Sequence, residues 1–103
     1  MYADGLIRTE MKDWQPESLT TLELKGVGLT VFHVGNLVNL TTLDVSSNAI
    51  TSIARCGLER LDKLRAINLS KNQLDKDCAP IFAYIPALRI LYLAGNPKLG
   101  SGY

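Results

Sequence analysis

Leu40-Thr41-Thr42-Leu43-Asp44-Val45-Ser46-Ser47-Asn48-Ala49-Ile50 is the stretch that most constrains this chain. Apolar residues occupy its first, fourth, sixth and eleventh positions, and an Asn occupies the ninth. Residues 64–74 match this template in full. Residues 88–98 match as far as Asn96, and the last apolar residue slips one place to Leu99. Residues 19–29 match except that Val27 stands where the Asn should be. The opening leucines, Leu19, Leu40, Leu64 and Leu88, are spaced 21, 24 and 24 residues apart. Self-similarity at such a period implies a solenoid, because one repeat cannot bury its apolar face without a neighbour.

Each template opens as a short strand. In 21–25 the apolar period is two, so Leu22 and Leu24 point inward and Thr21, Glu23 and Lys25 point outward. The corresponding outward sets are Thr42, Asp44 and Ser46, then Ala66, Asn68 and Ser70, then Ile90, Tyr92 and Ala94. Parallel strands of successive coils stack about 4.8 Å apart, and the rest of each repeat makes the crossover. The chain turns sharply after each strand, which leaves backbone groups without a ladder partner. An inward Asn side chain offers both an acceptor and donors to such groups. Asn48, Asn72 and Asn96 are therefore expected to stack as a structural ladder. Val27 cannot serve in this way, and the flanking Gly26 and Gly28 would let the backbone turn differently there.

The return segments differ from coil to coil. Phe32 and Leu37 are expected inward in the first. Ile50, Ile53, Leu58, Leu61 and Leu64 recur near three-residue spacing in the second, which suggests 3₁₀ or α turns. In the third, Asp77 is placed to cap a helix with Pro80 in its first turn and Pro86 as its stop. Ile81, Phe82 and Ile85 form that helix's buried face. Residues 1–18 lack the template. Asp4 can cap a helix there whose Leu6, Ile7, Met11 and Trp14 share one face. That helix reads as the N-terminal cap over Leu22 and Leu24, with Trp14 as its largest buried surface. An exposed Trp14 hot spot is the competing reading.

Composition excludes several functions. The net charge is +1, with neither a basic stripe nor a charge block, which argues against nucleic acid and anionic membranes as partners. No apolar run has the length of a signal peptide or a membrane span. Cys56 and Cys78 form no CxxC pair. They read as two unbridged thiols in a reducing compartment, with a bridge between adjacent coils as the alternative. Two N-x-[ST] sequons start at Asn39 and Asn68, and Asn68 falls on a strand. The lone His33 has no triad-like or metal-ligating company, and no carboxylate pair suits hydrolysis. No catalytic, metal or cofactor residue is assigned.

The four templates, and residues 86–99 in particular (Pro-Ala-Leu-Arg-Ile-Leu-Tyr-Leu-Ala-Gly-Asn-Pro-Lys-Leu), resemble intracellular leucine-rich repeat proteins of the short class, with repeats of about 22 residues. That class includes a protein-phosphatase regulator, an axonemal dynein light chain, a spliceosomal scaffold and ciliary and centrosomal proteins. The resemblance implies an α/β solenoid with four short parallel strands on a concave face and a convex face of mixed 3₁₀, α and irregular structure. It also implies a non-enzymatic recognition scaffold in the cytoplasm, with cytoskeletal, ciliary or centrosomal settings. Such proteins usually continue past Asn-Pro into a helical cap. Only residues 98–103 remain here, so the expectation is a single domain, 1–103, cut from a longer chain and lacking a complete C-terminal cap.

The outward residues carry the functional expectation. Glu23, Asp44, Asn68 and Tyr92 form one row, with Ile90 and Lys25 beside it. Tyr is favoured at binding hot spots, so Tyr92 and Ile90 are the centre of the expected protein-binding surface. The alternative is an assembly element that self-associates through its open C-terminal end. An extracellular receptor fragment is a third reading.

Overall fold

The computed structural model describes residues 18–54 and 56–99, apart from the side chains of Asp77 and Ala79. The expected N-terminal cap helix and its Trp14 lie outside these residues. Four three-residue strands form one parallel sheet in the order β1-β2-β3-β4: β1 (Thr21–Glu23), β2 (Thr42–Asp44), β3 (Ala66–Asn68) and β4 (Ile90–Tyr92). The register follows the template position for position, pairing Leu22, Leu43, Ile67 and Leu91 across the sheet. Although the strands are short, the ladder continues past them. The N–H groups of Leu24, Val45 and Leu69 donate to Asp44, Asn68 and Tyr92 of the next coil at 2.7, 3.0 and 2.8 Å. Those of Gly26, Ser47 and Lys71 donate to Ser46, Ser70 and Ala94 at 3.0, 2.9 and 2.8 Å.

The turn after each strand depends on one backbone conformation. The eighth template position is left-handed in all four coils, with φ of 63° at Gly26, 57° at Ser47, 58° at Lys71 and 79° at Gly95. Gly26 therefore turns as its counterparts do, not in a way of its own. Ser47 and Lys71 hold an arrangement that L-residues avoid, at a cost of roughly 1–2 kcal/mol each. The recurring hydrogen bonds around the turn compensate for it.

The Asn ladder forms as expected, with a direction the sequence did not show. Each Asn serves its own turn and that of the coil before it. Asn72 Oδ1 accepts from Ile50 N at 3.1 Å, and its Nδ2 donates to Val45 O and Leu69 O at 3.1 and 3.0 Å. Asn96 likewise accepts from Leu74 N at 3.1 Å and donates to Leu69 O and Leu93 O at 2.9 and 2.8 Å. Asn48 accepts from Val27 N and Leu29 N, both at 3.0 Å. The turn containing Val27 is thus completed by the Asn of the following coil. The Val27 side chain itself is exposed.

The core is the stack of template apolar residues. Leu43, Val45, Ile67 and Leu69 are fully buried, as are Leu40 and Leu64. Burial of each such side chain contributes roughly 1.5–3 kcal/mol. Phe32 and Leu37 are buried as expected and are joined by Val34. In the second return segment Ile50, Ile53, Leu58 and Leu61 are buried, and Leu58–Arg60 forms a 3₁₀ turn. The third return differs from expectation at its start. Lys76–Cys78 is a 3₁₀ turn and Cys78, not Asp77, is the N-cap of the short helix α1 (Ala79–Phe82), with no side-chain capping bond. Pro80 lies in its first turn, where the missing N–H costs nothing. Ile85 is buried, while Ile81 and Phe82 are half-buried against the core. The fourth coil is less covered than the middle two, with Leu88 and Leu91 only partly buried.

Candidate functional site

The strand register sets out the candidate surface. Glu23, Asp44, Asn68 and Tyr92 are direct partners across the sheet, and so are Thr21, Thr42, Ala66 and Ile90. Two expected rows thus lie side by side on one face. Ile90 and Tyr92 are 48% and 56% exposed, which makes them large apolar surfaces open to solvent on the last strand. Glu23 and Lys25 are exposed at the other end of the face.

The middle of the face is tied down by its own backbone. Asp44 Oδ1 accepts from Ser46 N at 3.0 Å and from Ser46 Oγ at 2.7 Å. Asn68 Oδ1 accepts from Ser70 N at 3.0 Å. Both side chains are half-buried and close an Asx-type turn at the strand end. The expectation that Ser46 points outward fails, since Ser46 is only 4% exposed. Strict alternation ends with the three-residue strand. Beyond Asp44 the chain is already turning, and the bond to Asp44 draws the Ser46 hydroxyl into the turn.

A shallow hollow of about 180 Å³ opens on this face, lined by Thr41, Thr42, Arg65, Ala66 and Ile90. Ala66 is the small residue between its larger register partners Thr42 and Ile90, so it forms the floor. A second hollow, of about 150 Å³, lies among return-segment residues Thr51, Ser52, Ala54, Asp75 and Cys78. Among the described residues, no group of three or more His, Cys, Asp or Glu side chains is placed to hold a metal ion. No helix among them is long and apolar enough to cross a membrane.

Cys56 and Cys78 are buried and unbridged. Burial pushes the Cys56 thiol up to about 12 from an ordinary 9.0, and the negative charge of Glu59 adds to the rise. A hydrogen bond with the Phe32 backbone opposes the rise. The thiol is therefore held neutral and unreactive. Because the raised pKa belongs to the folded state, its contribution is fully present below pH 9 and is lost as the pH rises toward 12. By pH 10 the fold should have lost about 1.4 kcal/mol through this group. Urea unfolding at pH 8 and pH 10 tests this, because Cys56→Ala should remove that share of the pH dependence.

A family model described as Leucine rich repeat matches residues 17–74 and again residues 38–97. The chain belongs to the leucine-rich repeat family. Among known proteins it is similar to Receptor-like protein 1 of Arabidopsis thaliana, at 38% identity over 79 residues. The match covers 71% of this chain and 7% of that protein, so the chain spans only a small part of its relative. Leucine-rich repeat domains are in general non-enzymatic and mediate protein–protein interaction. The left-handed eighth position is not evident in the sequence. Gly26 and Gly95 hinted at it, but Ser47 and Lys71 at the same place concealed it.

Proposed function

We propose that this leucine-rich repeat domain captures a protein partner on its concave strand face, with Ile90 and Tyr92 at the centre of the contact. The observation that carries the reading is the exposure of these two large side chains, side by side on β4 beside the hollow over Ala66. Glu23 and Lys25 extend the contact at the far end. Asp44 and Asn68 contribute a fixed polar middle, because their orientation is set before any partner arrives. Four strands present few outward residues beside the roughly 20–30 of a standard interface, so this face alone supports weak binding unless neighbouring surface joins it.

The test is capture of proteins from an extract of the source organism by immobilised domain. Tyr92→Ala should lose most of the retained partner while unfolding stability moves by less than about 0.5 kcal/mol, as for other surface substitutions. A Thr51→Ala control on the return side should retain it. Equal retention by all three proteins would reject the assignment.

A second reading is self-association through the last coil. It is favoured by the partial exposure of Leu88 and Leu91 and by β4 being an edge strand. Sedimentation that remains monomeric across the soluble concentration range would reject it.

The proposed setting is the cytoplasm, with cytoskeletal, ciliary or centrosomal sites included. Two buried thiols suit a reducing compartment. A glycan on Asn68 would occupy the centre of the face and displace its bond to Ser70 N. Detection of the endogenous protein in the secretory pathway would instead favour a receptor fragment.

A further inference from the structure

Charge is distributed unevenly along the concave face. The first two coils present the carboxylates Glu23 and Asp44, and neither strand of the last two coils carries an acidic side chain. Arg65 and Arg89 occupy the template position just before β3 and β4, and both are exposed. They are held in step by the backbone, since Arg89 N and Ile90 N both donate to Arg65 O, at 2.8 and 2.9 Å. Their side chains therefore leave adjacent coils at equivalent points, about 4.8 Å apart. Among the described residues neither guanidinium has a hydrogen-bond or ion-pair partner. Arg65 also forms one wall of the hollow over Ala66, and Ile90 forms another.

We infer that this end of the face docks an extended partner segment in which a carboxylate, Asp or Glu, stands next to a bulky apolar side chain. This rests on the concave-face reading and specifies its partner. The apolar side chain fills the hollow between Thr42 and Ile90 with Ala66 beneath it. The carboxylate meets the paired guanidiniums at the hollow's edge, where their planar forks suit bidentate contact better than lysines would. Tyr92 covers the apolar side from the adjacent row. Glu23 and Asp44 repel acidic residues at the opposite end, so the sheet also sets the direction in which the segment lies.

The experiment is selection of a random heptapeptide display library on the 103-residue chain. Recovered peptides should be enriched in Asp or Glu adjacent to Leu, Ile or Phe. Synthetic copies should bind at least about ten-fold more tightly than their Lys-substituted analogues, as loss of a charge-assisted contact requires. The paired variant Arg65→Ala/Arg89→Ala should abolish that discrimination, and Arg65→Lys/Arg89→Lys should retain part of it. Neither should alter the thermal midpoint, since both side chains are exposed. Enrichment of basic peptides, or acidic preference that survives in the Ala variant, would overturn the inference. Peptides that depend on Tyr92 but show no acidic preference would overturn it while leaving the concave-face reading intact. Recovery of none would overturn both.

Discussion

Asn72→Ala should be among the most destabilising single substitutions in this domain. The side chain is fully buried and binds three separate backbone segments. Its removal strands Ile50 N, which has no other acceptor in the turn, and takes one donor from each of the carbonyls of Val45 and Leu69. Val45 O retains Asn48 Nδ2 at 2.9 Å, and Leu69 O retains Asn96 Nδ2 at 2.9 Å, so the carbonyls lose part of their satisfaction and the amide loses all of it. The stranded amide costs about 1–3 kcal/mol and each bond lost at a carbonyl about 0.5–1.5 kcal/mol, which puts the substitution at about 2–6 kcal/mol in total. A domain of this size has roughly 5–15 kcal/mol of stability. Urea unfolding followed by circular dichroism should therefore show a clearly lowered midpoint, and no folded baseline if the parent stability lies at the low end of that range. Asn48→Ala should cost less, because its side chain is only half-buried and Val27 N can turn to water. If the two substitutions cost the same, the ladder does not act through burial. A change below 1 kcal/mol at Asn72 would remove the ladder as a major source of stability.

The residues that could be read from sequence are those that repeat. Leu43, Ile67 and Asn72 do work that recurs from coil to coil, so the template shows which way each points. The exposed pair Ile90 and Tyr92 was legible for the same reason, since their register partners fix their face. Features arising once per molecule were not legible. Ser46 turns inward because Asp44 two residues earlier supplies an acceptor, whereas Lys25 follows Glu23 at the same spacing and stays exposed. The hollow over Ala66 needs Thr42, Ala66 and Ile90 compared across three coils, and Arg65 then enters from outside the outward rows. The return segments differ in length and sequence, so nothing in one predicts what it meets in the next.

Gly57→Ala is the largest effect expected from such a non-repeating contact. Gly57 precedes the 3₁₀ turn at Leu58–Arg60 and has φ of 80°, a left-handed value. It also lies directly against Gly35 of the previous coil. A Cβ at Gly57 would stand 2.7 Å from Gly35 Cα and 2.9 Å from Gly35 N, distances at which backbone must move. The backbones are this close because Val34 N donates to Cys56 O at 2.8 Å, joining the two return segments just before the glycines meet. Relief would have to break that bond or shift Val34 and Cys56, both of which are buried. Left-handed strain accounts for about 1–2 kcal/mol and the clash for about 1–3 kcal/mol more. Gly28→Ala separates the two contributions. Gly28 has φ of 78° with nothing within 4 Å of the added Cβ, so it should show the strain alone. Unfolding free energies from denaturant titration should therefore differ by at least about 1 kcal/mol between the two variants, with Gly57→Ala the less stable. Gly35→Ala should fall between wild type and Gly57→Ala, because its Cβ would meet Gly57 Cα at 3.4 Å and the flexible Arg60 side chain at 3.3 Å. Equal losses at Gly28 and Gly57 would mean that the two coils are not pressed together at this point. The packing of the return segments would then be looser than the close approach of Gly35 and Gly57 requires.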